Sequence, residues 1–130
     1  MKPDNEKGQA AAELALVLPV LLLILFGCID LGRVFASWMT LTNAAREGAR
    51  FGSMHPLDTP GIRSAALAEA TAGGLTGVSV AVSTAGSGTG NPSITVDTAG
   101  TVTLVTPIPG TRVVTMQASA TMVIMNEGGR

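Results

Sequence analysis

The sequence has few of the residues that build most catalytic and ligand sites. It contains one cysteine, one histidine, one tryptophan, three phenylalanines and no tyrosine. A single cysteine excludes an intramolecular disulfide, and the lack of Cys and His clusters excludes the usual zinc ligand sets. So few aromatic side chains argue against a surface that stacks on nucleic-acid bases or sugars.

The net charge argues against nucleic-acid binding, and the motifs argue against an enzyme. The net charge of −1 gives no excess that would attract nucleic acid. His55 lies between prolines, so we expect an exposed loop residue rather than a ligand or a base. The glycines at 86, 88 and 90 lack the lysine and the following helix of a phosphate loop. The sequence shows no nucleophile–base pair or carboxylate dyad, and we predict no catalysis, cofactor, metal or small-molecule substrate.

The N-terminal part contains the longest apolar segment of the chain. Residues 9–29 read QAAAELALVLPVLLLILFGCI, and the 16 residues from Leu14 to Ile29 carry no charge. As a helix they span about 24 Å, slightly less than the ~30 Å hydrocarbon core of a bilayer. A carboxylate such as Glu13 costs ~2.5–3.5 kcal/mol inside the membrane and needs a partner. We predict a membrane helix over 9–30, loosened at Pro19.

The helical pattern continues beyond this segment and becomes amphipathic over residues 31–52. Apolar residues recur at three- and four-residue steps, at Leu31, Val34, Phe35, Trp38, Leu41, Ala45 and Ala49. Polar residues are expected on the other side, at Asp30, Arg33, Ser37, Thr40, Glu47 and Arg50. One helix is therefore predicted from about Gln9 to about Arg50. Small residues such as Gly48 and Gly52 allow close packing, most simply of the chain's own sheet.

The charged residues of this second half have two interpretations each. Asp30 and Arg33 are three residues apart and could pair just outside the membrane, or could simply be solvated. Arg46, Glu47 and Arg50 could contact the rest of the protein, another subunit or lipid. An ordinary charged helix face is the simpler prediction for these three.

The C-terminal part, residues 53–130, predicts a small head. Asp58-Thr59-Pro60 is typical of a helix start, residues 61–72 are rich in alanine, and Gly73-Gly74 should end the short helix. Four half-buried strands are expected near 78–82, 94–96, 102–104 and 114–124, with breaks at 85–92, 98–100 and 107–110. The predicted fold is α+β: a long N-terminal helix packed on a small antiparallel sheet, with one short extra helix.

Residues from Gly8 to about Gly52 resemble the TadE-like pseudopilins of Flp/Tad pilus systems. The resemblance is carried by GQAAAELALVLPVLLLILFGCIDLGR at 8–33 and by TLTNAAREGAR at 40–50. It is specific because three features occur together: GQ followed by a glutamate, a proline-containing apolar run, and NAAREGAR. The C-terminal part resembles the family only in outline.

The resemblance implies a structural role in a filament. Residues 1–8 would be a leader that a prepilin peptidase removes at the Gly8–Gln9 bond. Glu13 would then be the fifth residue of the mature chain, neutralised by the new α-amino group of the same or a neighbouring subunit. The alternative is that Glu13 simply lies at the headgroup boundary in contact with water. The implied partners are this peptidase, other pilin subunits and the pilus assembly platform. The implied locations are the bacterial inner membrane, with the head outside, and then an extracellular filament.

Two alternatives use the N-terminal segment differently. LFGC at 25–28 resembles a lipobox, which would make Cys28 the lipidated first residue of a lipoprotein. Val34-Phe35-Ala36 has small residues at the spacing of a signal-peptide cleavage site. Either event would leave a tethered or secreted β-rich binding module. The bulky Phe26 argues against the first, and the charges of Asp30 and Arg33 argue against the second.

Overall fold

A computed structural model describes residues 4–86, 91–106, 110 and 113–125. The described residues form two helices, α1 (Asp4–Met54) and α2 (Thr59–Ala72). They also form three strands, β1 (Ser79–Ala85), β2 (Ser93–Thr103) and β3 (Val113–Val123). A long helix, a short helix and a small antiparallel sheet confirm the predicted α+β fold.

Helix α1 is longer than predicted at both ends. It is 51 residues long and includes Pro19, so it extends about 77 Å at 1.5 Å per residue. The predicted leader boundary at Gly8 is not a structural boundary, because the helix begins before it. At the other end the helix continues past the predicted limit to Met54, where Pro56 follows after one residue.

Helix α2 begins and ends with the signals expected from the sequence. The Asp58 side chain accepts a hydrogen bond from the Gly61 amide at 2.9 Å, and Pro60 lies in the first turn. At the other end the Gly73 amide donates to the carbonyl of Glu69 at 3.0 Å. These caps satisfy backbone groups that a short helix leaves unpaired.

The sheet has the order β1-β2-β3, and both pairings are antiparallel. The predicted turn at Thr98–Gly100 is wrong, because these residues lie inside β2. The two short strands predicted at 94–96 and 102–104 are therefore one strand, which ends at Thr103. A Cβ atom built on Gly100 would be 3.4 Å from a Leu41 methyl carbon, so this glycine marks the close approach of α1 rather than a turn.

The core lies between the sheet and the second half of α1, with α2 beside them. One cluster comprises Ala49, Ile62, Ala66, Ile94 and Val96. The other comprises Leu41, Val102 and Met116. On β2 the buried residues alternate with residues such as Asp97, Thr101 and Thr103, which face solvent on the other side of the sheet.

Some predicted features lie outside the described residues. These are the first three residues of the leader, the middle of the 85–92 break, and residues 107–109 of the 107–110 break. Gly88 and Gly90 of the glycine-rich stretch belong to this group, whereas Gly86 is described just after β1.

Candidate assembly site on the long helix

The first half of α1 makes almost no contact with the rest of the protein. Its large apolar side chains between Leu14 and Leu25 are 40–76% exposed, and Ile29 is 45% exposed. We call residues Leu14–Ile29 the bare segment. A continuous apolar surface of this size is unstable in water and requires lipid or another protein surface. By length and composition α1 is able to cross a membrane.

The residues expected to be involved in processing and assembly lie just before the bare segment. Gly8, Gln9 and Glu13 are exposed within α1. The Gln9 side-chain amide donates to a Glu13 carboxylate oxygen at 3.4 Å, one helical turn away. A Cβ atom on Gly8 would meet nothing within 4 Å. The structure therefore places the proposed cleavage bond inside a helix and not in an extended segment.

Pro19 lies within the bare segment and is exposed. It lacks the backbone N–H that would otherwise bond to the carbonyl of residue 15. Helix α1 nevertheless continues without interruption on both sides of Pro19. Cys28, in the same segment, is an exposed free thiol within the helix.

Asp30 is the residue whose placement differs most from its prediction. Of its two interpretations, a solvated residue is wrong, because Asp30 is 5% exposed and faces the head, whereas the pair with Arg33 is present. Its Oδ1 accepts from the Val105 amide at 2.8 Å, and its Oδ2 accepts from the Thr106 amide at 2.6 Å. The Thr106 hydroxyl donates a further hydrogen bond to Oδ2. We call this group of bonds the Asp30 clamp; it ties the end of the bare segment to the chain that follows β2.

Arg33 joins the clamp from its solvent side. Its Nη1 lies 3.6 Å from Asp30 Oδ1 and donates to the Thr103 carbonyl at 3.1 Å. The Arg33 side chain remains 46% exposed, whereas the Asp30 side chain is 7% exposed. The structure thus combines a buried carboxylate with an arginine that still reaches solvent. Charge-assisted bonds of this kind are stronger than neutral ones.

The other three charged residues remain on the surface of α1. Arg50 binds Glu47 through two bonds, Nη2–Oε1 at 2.6 Å and Nε–Oε2 at 2.9 Å. This bond with the Arg50 guanidinium lowers the pKa of Glu47. Arg46 is exposed and lines a shallow groove with Phe35, Trp38 and other α1 residues. No hydrogen bond or ion pair of these three side chains joins the described part of the head to the helix.

The face of α1 that packs on the head is rotated from the predicted one. Val34, Leu41, Ala45 and Ala49 pack against the head as expected. Three apolar residues predicted on the same face do not, since Leu31 is 73%, Phe35 59% and Trp38 47% exposed. Asp30 instead occupies the side that faces the head, because the bonds with Val105 and Thr106 satisfy its charge.

Small residues allow the second half of α1 to approach the head closely. A Cβ atom on Gly48 would lie 3.0 Å from Ala66 Cβ and 3.1 Å from a Val96 methyl carbon. On Gly52 it would lie 2.7 Å from Ile94 Cδ1. The prediction of close packing is confirmed, and the packing involves α2 as well as the sheet.

Sequence reasoning missed the polar residues of the head that bind α1. The Thr98 hydroxyl is buried in the sheet and donates to the Leu41 carbonyl at 3.0 Å. Thr106 is also buried, beside Asp30. Threonines are common throughout the C-terminal part, so no local signal distinguishes these two.

His55 is exposed as predicted and stacks on Phe51 with ring centroids 4.8 Å apart. Across residues 4–86, 91–106, 110 and 113–125, no His, Cys, Asp and Glu side chains form a metal-binding group.

The comparisons with known proteins agree with this division of the chain. The family described as TadE-like protein matches residues 8–50, which confirms the resemblance over that third of the sequence. The matched segment lies entirely within α1 and includes both the bare segment and the Asp30 clamp residue. No curated protein and no solved structure gave a significant match to the chain.

Proposed function

We propose that this chain is a TadE-like, pilin-like subunit of a Flp/Tad-type pilus or a related filament. The observation that carries the proposal is the coincidence of the family match with α1, whose apolar first half is bare. Such a surface is suited to two successive environments, the bilayer and the packed helices of a filament. Both environments remove the bare segment from water, and burial of apolar area is favourable in proportion to its extent.

Before assembly the protein is a single-pass membrane protein in this proposal. The bare segment spans the inner membrane, residues before it face the cytoplasm, and the head lies outside. A folded head anchored by one helix is able to meet the assembly platform and other pilin subunits without leaving the bilayer. The chain then enters the filament either as a minor pseudopilin or as a repeating subunit.

Processing by a prepilin peptidase at Gly8–Gln9 belongs to the same proposal. Since the bond lies within α1, the first turns of the helix must unwind before the backbone can enter a protease site. Gly8 favours this because glycine has the highest intrinsic cost in a helix apart from proline. Cleavage would place a new α-amino group on Gln9, one turn from Glu13.

Glu13 then has a defined role in assembly. It is the only acidic residue between Gly8 and Asp30, and it directly precedes the bare segment. Among packed apolar helices its charge would need a cation, and the α-amino group of the same or a neighbouring subunit supplies one. Because an unpaired charge there is costly, the pairing would fix the axial position of one subunit against the next.

The test compares two subunits that differ only at Glu13. Glu13→Ala should remain in the membrane fraction but disappear from filaments sheared off the cells. Glu69→Ala makes the same change on an exposed face of α2 and serves as the control. Normal incorporation of Glu13→Ala would contradict the role given to Glu13. The amount of wild-type chain in the filaments distinguishes a minor from a repeating subunit.

The lipoprotein and secreted alternatives receive no support from the comparisons. Cleavage before Cys28 or after Ala36 would cut through the segment that matches the family. Cleavage after Ala36 would also remove Asp30 and with it the clamp to Thr106. The intact mass of the native protein separates the cases, since each cleavage gives a different mass.

A further inference from the structure

The Asp30 clamp fixes the height of the head above the bare segment. Asp30 follows Ile29 directly, and its carboxylate holds the amides of Val105 and Thr106 at 2.6–3.0 Å. The chain after β2 therefore lies level with the end of the bare segment. Val105 is 54% exposed there, so the base of the head presents an apolar side chain beside the helix.

The helix adds exposed apolar side chains just beyond the bare segment. Leu31, Phe35 and Trp38 are 73%, 59% and 47% exposed, within nine residues of Ile29. The rings of Phe35 and Trp38 lie beside each other, with centroids 6.2 Å apart. With Val105 these three residues form an exposed apolar patch that begins at the end of the bare segment and continues to Trp38, and we call this patch the collar.

The length of the bare segment indicates what covers the collar. Its 16 residues extend about 24 Å, roughly 6 Å less than the ~30 Å hydrocarbon core. A bilayer core that begins at Leu14 therefore ends about four residues beyond Ile29, near Arg33. The headgroup layer adds about 5–7 Å, which reaches the height of Trp38. Tryptophan is enriched at this depth because its ring is apolar and its N–H is polar.

The charges near the collar are compatible with this depth. Both oxygens of Asp30 accept hydrogen bonds from the head, so its carboxylate needs no water. Arg33 is near Asp30 and retains a side-chain exposure of 46%. A long cationic side chain in this position can reach lipid phosphates while its stem remains in apolar surroundings.

We infer that the collar seats the base of the head at the outer surface of the bilayer. Leu31 and Val105 then lie at the edge of the hydrocarbon core, and Phe35 and Trp38 lie in the headgroup layer. The inference rests on the membrane anchoring in the proposed function and adds the depth of the head. Lipid is the occupant because the collar continues the surface of the membrane segment without a break. Before assembly the head therefore lies against the bilayer and does not stand away from it on a free stalk.

Trp38 reports its own environment, because the chain has one tryptophan and no tyrosine. The full chain is reconstituted into phosphatidylcholine–phosphatidylglycerol vesicles, and flotation establishes that it has inserted. Trp38 emission should shift to shorter wavelength than in the unfolded chain. It should be quenched most by lipids brominated near the headgroup, less by lipids brominated deep in the acyl chains, and weakly by aqueous acrylamide.

Substitutions test whether the apolar collar residues themselves shield Trp38 from water. Leu31→Ser with Val105→Ser should shift the Trp38 emission to longer wavelength and increase its quenching by acrylamide. Leu57→Ser is the matched control, because Leu57 is 97% exposed beyond the far end of α1. It should leave both measurements unchanged. Circular dichroism must show the same helix content in all three proteins.

Three results would overturn the inference in different ways. If the wild-type chain does not float with vesicles, the membrane anchoring in the proposed function fails as well. If it floats but Trp38 is quenched by acrylamide as in the unfolded chain, the collar alone is wrong. If Trp38 is shielded from the brominated lipids as well as from acrylamide, and this shielding grows with the protein-to-lipid ratio, a second copy of the chain covers the collar. The assignment of lipid as the occupant is then wrong.

Discussion

The two halves of α1 have similar backbones and opposite surroundings. Leu21 in the bare segment is 60% exposed, whereas Leu41, five turns later, is 0% exposed. The bare segment in the first half is continuously apolar and largely exposed, while the second half mixes small and large residues against the head. Both halves are helical, so their different compositions determine what each half packs against and not which conformation it adopts. The first half depends on an external partner, whereas the second half contributes to a folded core.

The boundary between these halves is a single buried carboxylate. Asp30 is the first charged residue after the bare segment, and it is bound by the head rather than by water. On the far side of the boundary the packing depends on glycine and alanine, as at Gly48 and Gly52. An exposed leucine before Asp30 and a buried one after it should therefore respond very differently to truncation.

The largest expected difference is between Leu41→Ala and Leu21→Ala. Leu41→Ala leaves a cavity beneath β2 and β3 and should lower the free energy of unfolding by about 2–5 kcal/mol. Leu21→Ala removes the same atoms from a side chain that is 60% exposed, and should change the free energy of unfolding by less than about 0.5 kcal/mol. The measurement is denaturant unfolding of the full chain in detergent, followed by a signal from the head. Equal losses would show that the bare segment contributes to the folded core.

Sequence reasoning predicted the apolar and amphipathic character of the two halves better than the direction in which the residues at their boundary face. The apolar run, the caps of α2 and the close packing at Gly48 follow from local rules, since each depends on neighbouring residues. The direction of Asp30, Leu31 and Phe35 did not follow, because it depends on donors 75 residues further along the chain. The continuous β2 was missed for a similar reason. Thr98-Ala99-Gly100 has the composition of a turn, but its pairing with β3 and its close approach to α1 place it inside a strand.

A smaller effect is expected from Asp30→Asn, which tests the boundary itself. The asparagine has the same shape, but its amide nitrogen is a donor that would face the Val105 or Thr106 amide. The variant should unfold at a lower temperature than wild type, with a smaller loss than Leu41→Ala. Amide exchange measured by NMR should become faster at Val105 and Thr106. Unchanged exchange at both amides would show that the clamp does not hold this part of the head.

The smallest effect is expected from Glu47→Gln, which breaks an exposed ion pair within the second half of α1. The bond with Arg50 lowers the pKa of Glu47 in the folded protein. Its contribution is therefore complete above the pKa of Glu47 in the unfolded chain and is lost as pH falls through the lower folded value. Exposed pairs contribute little, so the melting temperature should fall only slightly at neutral pH. The difference from wild type should vanish in strong acid. A difference that persisted in acid would mean that Glu47 stabilises the helix through packing rather than through its charge.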